Sequence, residues 1–332
     1  MALRDASPFR PLLKLRPLSI LAFLIMLLSG CPGNKEQSQK QRREASWRQA
    51  AETQEDDLPG RFFRIIDPKS GDTSHLLATF HLLCRQQLNL PPSVYDALGR
   101  ADKLVLEYDL SAPDLTRRLD AVMHMPGGRN LKNQLPTEDY QELILFFRDS
   151  LRTKLRDIST IKPVFLNAMM AGAYLECETP VAMDYLLMDT ARKQELPVAS
   201  LESLEERIGF YDSLSYPKQL QWLAYKARHP RQMVDLYQLL QRRYQEGRLD
   251  PLYRITDVYS DSIPGFMHFT ITRRNELWMD RLGKMLEEDA ALFVAVGAEH
   301  IGGPLGLLRK LEAAGYRMER IALSSSKQKP AS

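Results

Sequence analysis

Apolar positions change period three times along the chain. Residues 61–66 and 75–80 are short apolar runs on either side of Asp67-Pro68-Lys69-Ser70-Gly71-Asp72, a turn-forming bridge, and together they predict a β-hairpin. Residues 103–110 form a third strand-like run, with Val105, Glu107 and Asp109 on one face and Leu104, Leu106 and Tyr108 on the other. Between these strands, residues 91–98 open a short helix, so a β-α-β unit with a right-handed crossover is expected. From 112 to 188 the apolar residues recur every three or four positions, as in 140–151 and 164–175, which predicts helices. A short strand follows at 197–202. Residues 220–244 then form a helical stretch interrupted at His229-Pro230, and a further helix spans 266–286. The strand pattern returns at 292–296, followed by a helix over 305–314 and a last strand over 317–323. The expected fold is α/β: a mixed central sheet formed by the N- and C-terminal β-α units, with a large helical insertion between them.

The first thirty residues follow a different logic. Arg4, Arg10, Lys14 and Arg16 precede an unbroken apolar run from Ile20 to Leu28, which ends in Leu28-Ser29-Gly30-Cys31. The run is too short to span a bilayer, and the basic flank and small residues make it a secretory signal of the lipoprotein type, with Cys31 as the lipidated first residue of the mature chain. A membrane anchor through Cys31 and a place in the cell envelope follow. Pro32 after the cysteine favours the outer membrane facing the periplasm over the inner membrane. The expected segments are thus a signal at 1–30, a disordered polar tether at 31–58, one domain at 59–325 and a disordered tail at 326–332. Cys84 and Cys177 are the remaining thiols, in a compartment that permits disulfides, and the sequence leaves open whether they pair.

Charge narrows the partners. The 45 basic and 42 acidic side chains give the whole chain a net charge of +3. Four basic residues against Asp5 put all of that excess into the signal, so the mature chain is nearly neutral and nucleic-acid binding is not expected.

Two histidines stand in matching contexts. One apolar strand runs into Ala78-Thr79-Phe80-His81 and another into Gly297-Ala298-Glu299-His300, placing both imidazoles at the carboxyl ends of strands, where open α/β sheets bind ligands. Glu107, with Asp109 on its face, ends a third strand. Two imidazoles and a carboxylate meeting at one sheet edge would suit a divalent ion such as Zn, Mn or Co that activates water, with Glu299 or Asp109 as general base. The same edge would equally suit a non-catalytic envelope protein that binds a metal, a haem-like ligand or a polymer. Nucleophile-elbow, zinc-helix, P-loop and dinucleotide signatures are all missing from the chain.

The two G-x-x-H-like motifs, with Glu107 in Leu104-Val105-Leu106-Glu107-Tyr108-Asp109-Leu110 between them, resemble the TraB/GumN family, whose animal relatives include the Tiki metal-dependent proteases. The likeness extends from about Leu76 to Ile321 and runs through Ala182-Met183-Asp184-Tyr185-Leu186-Leu187, Pro197-Val198-Ala199-Ser200-Leu201-Glu202-Ser203-Leu204-Glu205-Glu206-Arg207, Arg273-Arg274-Asn275-Glu276-Leu277-Trp278, Phe293-Val294-Ala295-Val296-Gly297-Ala298-Glu299-His300-Ile301-Gly302-Gly303 and Ala314-Gly315-Tyr316. The resemblance implies His81, Glu107 and His300 as metal-associated residues, Arg274 and Asn275 in or beside the same cleft, and a metal-dependent hydrolase, a peptidase or another kind, acting on a peptide or other envelope substrate. An inactive scaffold of the same fold is the alternative, because Ala78 stands where the family pattern has glycine. That departure matters only if the position needs a positive φ or the close approach of a substrate.

Overall fold

The computed structural model describes residues 32–52, 60–88, 90–109, 112–177, 179–288 and 291–323. The expected signal, Cys31 and the tail at 326–332 lie outside them. The chain divides into residues Met1–Arg42 and a compact unit from Arg43 to Ser332, and everything below concerns the second unit except where stated.

Six strands form the main sheet: β1 (Phe62–Ile66), β2 (Thr73–Thr79), β4 (Lys103–Leu106), β6 (Val198–Ser200), β7 (Leu292–Gly297) and β8 (Arg317–Arg320). Their order is β6-β4-β7-β2-β1-β8. The hairpin is as expected, β1 against β2 with Phe62 opposite Leu77 and Ile66 opposite Thr73. The β-α-β unit is also present, but its two strands are not neighbours. C-terminal β7 inserts between β2 and β4 and pairs in parallel with both. With β6 parallel to β4, four parallel strands end on one edge. β8 closes the other side, antiparallel to β1. A second, two-stranded sheet joins β3 (Leu83–Cys84) to β5 (Pro180–Val181).

Period-two alternation sorts the sheet's side chains onto two faces. Leu77, Leu104, Leu106, Phe293 and Ala295 pack under the helices Pro92–Gly99 and Met183–Lys193. Leu76, Ala78, Val105, Val294 and Val296 face the larger core built with the helical insertion. Within the insertion the break at His229 is where Pro230 predicts it, between helices Tyr216–Arg228 and Pro230–Gln245. The expected helix at 266–286 contains a π turn, His268–Thr272, before continuing as Arg273–Glu288.

One expectation needs correction. The polar stretch read as a tether is helical over Pro32–Glu52. Composition alone says that such a segment cannot bury enough to order itself, but Trp47, Ala50 and Ala51 are buried. Trp47 meets the Tyr259 ring edge-on at 6.3 Å, and the Arg43 guanidinium lies 4.5 Å from the centre of Tyr225. A few residues on one helix face are enough to dock the part from Arg43 to Glu52.

Candidate functional site

Each of the four parallel strands delivers one side chain to the common edge: His81 two residues after β2, Glu107 immediately after β4, Glu202 two after β6, and His300 on the short helix Ala298–Ile301 that follows β7. The convergence that the sequence predicts for His81, Glu107 and His300 is therefore present, with Glu202 added.

Arg274 ties the group together. It is 2% exposed, and all five of its N–H donors are used. Nε donates to Glu202, Nη1 to the Thr270 carbonyl at 3.0 Å and to His300 Nε2 at 2.9 Å, and Nη2 to Glu107 Oε2 at 2.7 Å and Glu202 Oε1 at 2.6 Å. The Thr270 carbonyl lies in the π turn, an irregularity found often at functional sites. Arg207 supplies a second guanidinium to Glu107 and Glu202, and Trp278 Nε1 donates to Glu202 Oε2 at 3.1 Å. Two carboxylates and two guanidiniums balance in charge, the condition for burying them.

These contacts fix the state of His300. A guanidinium can only donate, so Nε2 is the acceptor and Nδ1 carries the proton, which it gives to Asn275 Oδ1 at 2.7 Å. Asn275 agrees, because its Nδ2 donates to the carbonyls of His300 and Leu305 at 3.0 Å each. Burial, then the Arg274 charge, push the His300 pKa well below the ordinary value, so the ring stays neutral. Burial works the opposite way on Glu107, but Arg207 and Arg274 outweigh it and hold the carboxyl well below the usual range. Its Oε1 also accepts the Gly297 N–H at 2.8 Å.

His81 differs from the others because its side chain is 49% exposed. Nδ1 lies 3.0 Å from Asp184 Oδ2, and Nε2 lies 3.9 Å from Glu107 Oε1. Desolvation opposes charge on the ring, yet the Asp184 hydrogen bond and the Glu107 field raise its pKa to about 9. Gly297 permits this approach: a Cβ there would sit 3.0 Å from Glu107 Oε1 and 3.3 Å from His81 Nε2.

As a metal centre the set does not fit. His300 has both ring nitrogens committed, a guanidinium bridges His300 and Glu107, and of the four ring nitrogens only His81 Nε2 remains open. Among the described residues no group of three or more His, Cys, Asp or Glu is arranged to hold a metal ion. Arg274 likewise has no donor left for a substrate carboxylate or oxyanion, and it is not a surface ion pair.

Of the two candidate bases, Glu299 is half-buried beside Thr256 Oγ1 at 3.3 Å, and desolvation raises its pKa even though the nearby His81 charge pulls the other way. Asp109 lines a cavity of about 640 Å³ that borders the site through Glu202 and is completed by Tyr108, Ser200, Arg118 and Arg281. Ala78 settles its own question. It is an ordinary residue of β2 opposite Val296, its methyl group lies in the core, its φ is not positive, and its carbonyl accepts the Tyr244 hydroxyl at 3.0 Å. Gly303 uses its N–H on Asp250 Oδ1 at 2.6 Å, so the Gly302-Gly303 turn is structural.

Asp184, Glu202 and Arg207 were not singled out by residue-level reasoning. All three lie inside stretches that carry the family likeness. A family model described as the TraB/PrgY/gumN family matches residues 63–320. The chain belongs to that family. It is 25% identical over 236 residues to YbaP of Shigella flexneri, an uncharacterized protein, a match covering 69% of this chain and 84% of the relative. No solved structure matches.

Proposed function

We propose that this family member is a hydrolase of the bacterial cell envelope, with His81 as its proton-transferring group. The observation that carries this reading is the His81–Asp184 pair, in which one ring nitrogen is held by a carboxylate and the other is open beside a buried, permanently ionised Glu107. An imidazole oriented in this way can give its Nε2 proton to a leaving group when charged and take one from water when neutral. Asp184 fixes the ring and stabilises its charged form, while the Glu107–Arg274–His300–Asn275 network fixes Glu107. Glu299, on the helix after β7, is a third carboxyl within the field of His81, after Asp184 and Glu107, and a better candidate than Asp109 to share the proton work. The divalent ion implied by the resemblance is given no step, because one open imidazole nitrogen does not make its coordination set.

The envelope location rests on the basic leader, the apolar run and Cys31, and it is supported by the Cys84–Cys177 disulfide, a bond that persists in oxidising compartments. The substrate class is a peptide or another acyl compound of the envelope.

A screen of the full chain against quenched-fluorescent peptides and aryl esters, with and without chelator, tests the proposal. Turnover that survives chelation and is lost in both His81→Ala and Glu107→Gln supports it. Turnover indifferent to His81→Ala, or no turnover of any probe, overturns it. Activity that requires added Zn, Mn or Co would show that the Arg274 bridge opens to admit an ion.

A further inference from the structure

His81 and Asp184 come from segments far apart in sequence, and the structure joins those segments immediately beside the pair. β3 begins two residues after His81, and β5 ends three before Asp184. Their ladder is two pairs long, Leu83 with Val181 and Cys84 with Pro180. One further backbone bond, Arg85 N–H to the Thr179 carbonyl at 3.0 Å, and the Phe80 N–H to Met183 Sδ contact at 3.4 Å complete the strap. A two-stranded ribbon of this length does not persist in water without help. Leu83 is anchored in the core, and the other help is covalent: Cys84 is bonded to Cys177 across 93 positions of sequence, with a Cα–Cα separation of 5.7 Å.

We propose that this disulfide is a redox gate on the site, holding the strap that presses His81 onto Asp184 and releasing it on reduction. The inference rests on the reading of His81 as the working group. It extends that reading from chemistry to regulation. The two sulfurs differ in access, since Cys84 is buried and Cys177 only half so. A dithiol reductant of the thioredoxin-like class attacks the Cys177 sulfur as a thiolate. The S–S bond breaks, a mixed disulfide forms, and Cys84 leaves as a thiolate that takes up a proton. The reductant's second thiolate then displaces Cys177, which is also protonated, so the protein gains two electrons and two protons as the dithiol becomes a disulfide. The main sheet does not depend on the strap. β2 and β7 keep their own five-pair ladder, and Glu107, Arg274 and His300 keep theirs.

The full chain is compared oxidised, reduced with a dithiol, and as Cys84→Ser/Cys177→Ser, by two readouts that need no turnover. The first is amide hydrogen exchange. Reduction is expected to speed exchange about tenfold or more in residues 80–85 and 179–184 while β2 and β7 keep their protection. The second is carbethoxylation of His81 by diethylpyrocarbonate, located by mass spectrometry. It is expected to accelerate on reduction, to be equally fast in oxidised Asp184→Asn, and not to gain further when that variant is reduced. The double serine variant is expected to match the reduced protein without any reductant. Two freed thiols with strap exchange and His81 labelling unchanged overturn the gate, as does faster exchange spread through the whole sheet, which would make the bond a general staple. A disulfide that resists the dithiol in the folded protein overturns it as well. His81-dependent hydrolysis accompanied by any of these results refutes the gate and leaves the proposed function standing.

Discussion

Asp184 governs the charge on His81, and the pH dependence of the site follows from that. The imidazole titrates near 9 in the fold against about 6.5 in an unfolded chain. A raised pKa means that the folded state binds the proton more tightly, so the stabilisation is complete below pH about 6.5, declines between there and about 9, and is absent above. Stability of the native protein relative to Asp184→Asn is therefore expected to be constant in mild acid and to vanish toward pH 9, as read by denaturant midpoints across that range. Any activity that needs the neutral ring should rise through about 9 in the native protein and through a lower pH in the variant. Gly297 makes a second prediction at this scale. A methyl group at 3.0 Å from Glu107 Oε1 and 3.3 Å from His81 Nε2 must displace one of them, and the half-exposed ring is the one free to move. Gly297→Ala is expected to lower kcat by about tenfold or more while the melting temperature changes little, since positioning errors near 1 Å are that costly. At this same scale the sequence was partly legible. The matched contexts of His81 and His300 announced the sheet edge, and Glu107 was visible as the polar end of a strand. What His300 does there was not visible, because the partner that occupies its Nε2 lies on a helix 26 positions away, and the tautomer depends on that contact.

At the scale of elements, hydrophobic period located the six strands of the main sheet and the longer helices, because apolar alternation is itself what docks a strand onto a core, but it gave no element for the helices Leu204–Asp212 and Leu249–Ser260. It could not show that β7 enters between β2 and β4, since that pairing joins residues more than two hundred positions apart and only burial on both faces hints at it. Nor could it find β3 and β5, whose two-residue ladder has no period to detect. The helix Pro32–Glu52 was missed for the opposite reason, since average composition hides the few apolar positions that anchor it. Trp47 is 3% exposed, so Trp47→Ala is expected to cost about 3–5 kcal/mol, measured by chemical denaturation. A loss below about 0.5 kcal/mol would mean that the helix end is not docked in solution. Arg274 belongs to this scale as well, because it joins the ends of β4, β6 and β7 from a single helix. Removing its guanidinium leaves Glu107 and Glu202 buried with Arg207 as their one remaining guanidinium partner, so Arg274→Ala is expected to destabilise by about 3–5 kcal/mol, and Arg274→Lys, which lacks the planar fork, to recover only part of that.

Over the whole molecule, the leader and the disulfide bear on one another. If the leader exports the chain, Cys84 and Cys177 meet an oxidising solvent and can close; if the chain stays in a reducing compartment, the strap near His81 is left to a two-pair ladder. The chain-entropy estimate for closing a loop of about 100 residues is about 4.7 kcal/mol, a large fraction of the stability of an ordinary domain. A version lacking residues 1–30 and made in a reducing cytoplasm is therefore expected to carry three titratable thiols, Cys31, Cys84 and Cys177, to melt below the exported protein, and to recover on mild oxidation with Cys31 alone left free. The exported protein should contain no free thiol, and palmitate fed to the cells should label it but not Cys31→Ala. The two measurements separate export from anchoring. Oxidised Cys84 and Cys177 without palmitate would mean that the leader is cut as an ordinary secretory signal. Palmitate on a chain whose cysteines remain free would mean that the disulfide is not formed by compartment alone, and would give greater weight to its role as a gate.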